Sequence, residues 1–120
     1  MGIYVSVRGW LECDQQQLAA IHTITTAHDD GYYSGGWTTP SQPSWTYYVF
    51  FGSDMRESAL DGFLEQVRLI AQIPASDADD DRVTGLFFAT HEINGMSEWQ
   101  IRDGKVFVTP GDGRYGYLDA

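Results

Sequence analysis

The apolar pattern predicts an α+β fold: a two-layer sandwich with two helices on one face of a mainly antiparallel sheet. Three observations carry this. The N-terminal residues alternate apolar and polar and run straight into a helix-start signal. A second β-prone stretch, dense in aromatics, leads into a strongly periodic helical stretch. The last third holds two reverse-turn signals between β-prone segments.

Taken in order, Ile3, Val5, Val7 and Leu11 share one side of a strand and Tyr4, Ser6, Arg8 and Trp10 the other. Asp14, with Gln17 three residues on, reads as a capping box. Leu18, Ile21, Ile24 and His28 then form a helical stripe that stops before Gly31, a residue able to take a positive φ. Residues 32–37 and 45–51 read as strands joined through a loop holding Pro40 and Pro43. Gly52-Ser53-Asp54 breaks the second strand, with Asp54 as the expected N-cap. From Arg56 to Ile73 the residues Leu60, Phe63, Leu64, Val67, Ile70 and Ala71 fall at helical steps, and Pro74 ends the run.

An acidic loop follows, and then a strand over 83–92 with apolar residues on both faces, the mark of a central strand. Asn94-Gly95 and Asp103-Gly104 are hairpin turns that join it to strands over 97–102 and 105–109. The resulting order, β-α-β-β-α-β-β-β, is that of a ferredoxin-like split βαβ unit with a C-terminal β extension. One domain over residues 1–120 is expected from the length and from the lack of any linker or repeat.

Seven Lys and Arg against seventeen Asp and Glu leave a net charge of −10. Nucleic-acid and anionic-membrane binding draw on basic residues, so this balance opposes both, neither is expected as a partner, and a basic partner is favoured. The lone cysteine, Cys13, leaves no intramolecular disulfide and no Cys-based zinc site. With no signal-peptide pattern or membrane-length apolar run, a cytoplasmic protein is expected.

Aromatic residues make up 14% of the chain. With the helices on the Ile3/Val5/Val7 side, the opposite sheet face would carry Tyr4, Arg8, Trp10, Tyr48, Phe50 and Leu86 or Phe88. Three uses are open: cover by the C-terminal segment, a homodimer interface, or a groove for another protein. The candidate partner-binding residues are Trp10, Arg8, Tyr48 and Phe50 as anchors, with Asp29, Asp30, Asp77, Asp79, Asp80 and Asp81 as steering charges.

Asp77, Asp79 and Asp81 sit at calcium-loop positions 1, 3 and 5. However, Arg82 stands where glycine is required and Phe88 where the bidentate Glu is required, so the segment reads as a solvated acidic turn. His28 and His91-Glu92 are the other candidates for acid–base or metal chemistry, each better explained structurally. His22 reads as a partly buried structural histidine and Cys13 as a buried thiol. No catalytic residue, metal or cofactor is assigned.

The blocks 2–12, Tyr33-Ser34-Gly35-Gly36-Trp37, Tyr48-Val49-Phe50-Phe51-Gly52 and 98–104 resemble small acidic single-domain bacterial proteins, some of the immunity type found in polymorphic-toxin systems. Small size, a charge of −10, many Tyr and Trp residues and no catalytic constellation lead to the expectation of a non-enzymatic protein-binding module that occludes a basic partner; the resemblance implies the immunity type and carries no site motif onto numbered positions. The competing expectation is a small-molecule-binding protein or enzyme. Its pocket would lie against the open sheet face and the 38–44 loop, lined by Trp10, Tyr48 and His91.

Overall fold

The computed structural model describes residues 2–29, 31–41 and 45–119. Its elements are β1 (Tyr4–Cys13), α1 (Gln15–Ala27), β2 (Trp37–Thr38), β3 (Tyr47–Arg56), α2 (Glu57–Ala71), β4 (Thr84–His91), β5 (Gly95–Arg102) and β6 (Lys105–Pro110), with short 3-10 turns at Ser34–Gly36 and Gly113–Asp119. The strands form one antiparallel sheet in the order β2-β3-β1-β4-β5-β6. The α+β class with two helices is therefore the observed one, and β4 is central as its two-sided apolar pattern requires.

The core lies between the helices and one sheet face. Val5, Val7 and Leu11 of β1, Val49, Phe51 and Met55 of β3, Phe87 and Ala89 of β4, and Trp99 and Ile101 of β5 meet Ile21 of α1 and Phe63, Val67 and Ile70 of α2. Each large apolar side chain so buried contributes about 1.5–3 kcal/mol. Phe63 is the hub: its ring centroid lies 4.3 Å from Phe51, 5.6 Å from Trp37 and 6.1 Å from Trp99. The central pair, β1 and β4, approaches closely at Gly9, where a Cβ would stand 2.2 Å from the Leu86 carbonyl oxygen and 2.6 Å from Phe87 Cα.

The capping box is present. Asp14 Oδ1 accepts from the Gln17 amide at 2.8 Å, and Gln17 Oε1 accepts from the Asp14 amide at 3.0 Å. The Asp103-Gly104 turn has both residues at positive φ, 55° and 75°, as a two-residue hairpin of this type requires.

Four expectations are corrected. Asp54 does not cap α2: β1 begins early enough for Tyr4 to pair with Arg56, so β3 runs through Asp54, whose carboxylate instead accepts from Ser6 Oγ at 2.6 Å. Residues 32–37 do not form a strand: Ser34–Gly36 is a 3-10 turn, which Gly35 and Gly36 favour, and strand pairing begins at Trp37 and ends at Thr38. The Asn94-Gly95 turn is a three-residue loop, 92–94, with Gly95 at φ 82°. His22 is exposed, and its Nε2 lies 3.2 Å from Thr39 Oγ1.

Candidate functional site

The sheet face opposite the helices divides into two parts. In the first, the C-terminal segment lies on the sheet. The Tyr115 ring sits 5.1 Å from Phe88, and Arg8 Nη2 donates to the Leu118 carbonyl at 3.0 Å and to Thr90 Oγ1 at 3.2 Å. Arg8 is thus half-buried beneath the tail, and its Nε is buried without an acceptor. Tyr117 stays exposed.

The second part is bare. Thr38, Phe50, Trp10, Leu86, Gln100 and Phe107 stand side by side across all six strands, one residue from each. Tyr48 and Phe50 stack at 6.2 Å and are 38% and 43% exposed; large aromatics this accessible on a sheet normally pack against something. The Trp10 indole donates to Glu12 Oε2 at 2.9 Å, which fixes the ring beside them. Trp45, just before β3, is fully exposed.

The acidic loop is held at the same end of the sheet. Gln17, itself buried, donates through Nε2 to the Asp81 carbonyl at 2.8 Å, and Ser76 Oγ donates to Asp14 Oδ2. The loop is therefore tied to the start of α1 at both of its ends. Glu12, Asp14, Trp45, Asp77, Asp81 and Arg82 border one shallow cleft there. Asp77, Asp79, Asp80 and Asp81 are all exposed, and the carboxylates of the first, second and fourth come within 4.8 Å of one another. The Ser76 hydroxyl, with the backbone amides of Gln17 and Gln16, holds the Asp14 carboxyl below its ordinary value.

Not every sequence candidate joins this end. Asp29 follows the far terminus of α1, whose thirteen residues span about 20 Å, and its carboxylate accepts from Gly31 N at 2.9 Å and Ser34 Oγ at 2.5 Å. Asp30 lies outside the described residues. His91 pairs with Val5 and Tyr48 with Glu12, opposite ends of β1 separated by about 23 Å, so the pocket expected from Trp10, Tyr48 and His91 does not assemble.

Each histidine and the thiol is committed to the fold. His91 Nδ1 accepts from the amides of Ile93 and Asn94, both at 3.0 Å; its proton therefore sits on Nε2, which donates to Glu57. That side chain closes the 92–94 loop. His28 Nδ1 donates to the Ile24 carbonyl at 2.8 Å at the end of α1. Cys13 is buried beside the Tyr47 carbonyl, and burial, with Asp14 adjacent, pushes its thiol up to about 11.

No family model, curated protein or solved structure matches this chain. What it does must be read from its own side chains. Among the described residues, no helix is long and apolar enough to cross a membrane. An apolar cleft lies on the helix side of the sheet, between α2 and residues 33–37, and nothing in the sequence pointed to it.

Proposed function

We propose that this chain is a non-enzymatic protein-binding module that grips a basic protein partner at the Glu12 end of its sheet. One observation carries the reading. Exposed Trp45 shares a cleft with Asp77 and Asp81 of the exposed acidic loop, and Glu12 of that cleft pairs in register with exposed Tyr48 and accepts from the Trp10 indole, linking the aromatic group (Trp45, Tyr48, Phe50, Trp10) to the carboxylates. Aromatic anchors supply binding energy once desolvated, and rim carboxylates speed the encounter with a basic surface and select against acidic ones. The net charge of −10 acts in the same direction at long range.

The finer reading is an immunity-type antagonist that occludes its partner's basic cleft. Its support is the resemblance set out above, together with this pairing of charge and rings. Arg8 and Asp29, occupied elsewhere in the fold, drop out of the binding set.

The test is affinity capture from the source cell with three baits in parallel: wild type, Tyr48→Ala/Phe50→Ala, and the four loop aspartates changed to Asn. The expected partner is basic, is held by wild type and is lost by both variants. Its purified complex associates more slowly as salt is raised. A partner kept by both variants, or association indifferent to salt, refutes the reading.

A further inference from the structure

The cleft between α2 and the 33–37 segment is independent of the surface just described, on the other side of the sheet. Its volume is about 270 Å³. Trp37, Phe51, Phe63 and Met55 wall it, with Gln66 among its lining residues. Trp37 and Phe51 meet edge to face at 4.8 Å, so two of the walls brace each other.

Two features bear on what the cleft can hold. Gly62 lies in the middle of α2 on the lining, and a Cβ there would meet nothing within 4 Å. The residue is exposed, so a larger side chain there would stand in the open space at the mouth of the cleft. The second feature is Gln66, only 7% exposed. Its Oε1 accepts from the Trp37 indole N–H at 3.1 Å. An indole nitrogen only donates, so this bond fixes the amide orientation and leaves the Nε2 group as the free end. Among the described residues that nitrogen has no acceptor. Among the described residues the buried side-chain atom without a partner is Arg8 Nε, so the Gln66 nitrogen reaches open space, and on the cleft wall it can donate to a ligand acceptor.

We propose that this cleft binds a small, uncharged, two-ring molecule that offers a hydrogen-bond acceptor to the Gln66 amide. The size follows from volume: a dry apolar cavity of about 150 Å³ accepts benzene, so a space nearly twice as large takes a fused bicycle. The ring character follows from the Trp37, Phe51 and Phe63 walls. The lack of charge follows from a lining without Lys, Arg, Asp or Glu, whose histidine, His28, is held through Nδ1 by the Ile24 carbonyl.

The test uses the purified chain and three probes: quinolin-2-one, which has the acceptor; naphthalene, the same shape without it; and quinoline-2-carboxylate, which is charged. Binding is followed by NMR at the Gln66 side-chain amide, the Trp37 indole N–H and the Met55 methyl. Quinolin-2-one is expected to saturate all three signals, naphthalene to bind about fivefold more weakly, and the carboxylate not to bind. Gly62→Leu fills the cleft and abolishes binding; should that variant not fold, Ser58→Leu at the same rim serves. Gln66→Leu removes the preference for quinolin-2-one over naphthalene. Absence of saturable shifts with any probe overturns the proposal, as does binding that survives a folded, filled cleft. Equal affinity for the two neutral probes in the wild type overturns the role of Gln66.

Discussion

The buried thiol of Cys13 makes stability fall at alkaline pH in a way that one substitution isolates. The side chain is 6% exposed, and its thiol is raised from 9.0 to about 11 by burial and by Asp14. In the folded protein it therefore keeps its proton after the unfolded chain has lost its own. A group whose folded value is raised contributes fully below the unfolded value, here 9.0, and that contribution disappears as pH climbs toward 11. Between pH 8 and about pH 10.5 the loss comes to about 2 kcal/mol by linkage. Other groups titrate in this range too, so the assay is a difference. Urea unfolding of wild type and Cys13→Ala is measured at both pH values, and the wild type should lose about 2 kcal/mol more than the variant. Stability curves that run parallel across the range would refute the assignment of a buried, neutral thiol.

Three further outcomes follow from the packing. Gly9→Ala should cost about 1–3 kcal/mol in urea unfolding, because its Cβ meets the backbone of β4, which has nowhere to move; an unchanged midpoint would show that the sheet relaxes there. Asp14→Ala should cost about 1 kcal/mol and Asp14→Asn less, as expected of an N-cap. The Asp14 carboxyl is held below its ordinary 3.8, so its contribution is present above that pH and should be lost as pH falls through the depressed value; a variant equally acid-sensitive to wild type would contradict this. Tyr115→Ala should free the tail from Phe88, costing about 1 kcal/mol and raising the fluorescence of an added apolar dye.

Local chemistry made much of the fold legible. The alternation from Ile3 to Leu11, the Asp14–Gln17 pair and the Asp103-Gly104 turn each act within a few residues, and each forms as the sequence implies. What escaped depends on partners distant in the chain. Asp54 looks like a cap until β1 extends β3 past it. Asn94-Gly95 looks like a two-residue turn until the His91 ring accepts two amides and holds a longer one. The candidate surface was half legible: its residue types were visible, but only the antiparallel register brings Tyr48 and Phe50 to the end where Gln17 anchors the acidic loop, and carries Asp29 to the other. The helix-side cleft depends on Trp37 reaching Gln66 across twenty-nine residues, which no periodicity reports.

The brevity of β2 shapes how any neighbour can approach. Beyond its two residues, the border of β3 is closed by a turn rather than a strand: the Arg56 amide donates to the Tyr33 hydroxyl at 3.2 Å, and Gly36 presses so near Gly52 that a Cβ would lie 2.7 Å from its carbonyl oxygen. A plug of this kind covers main-chain groups without displaying a fresh row of them. Along residues 52–56 a visiting polypeptide finds less open edge to zip onto, which works against growth of the sheet copy upon copy on that stretch.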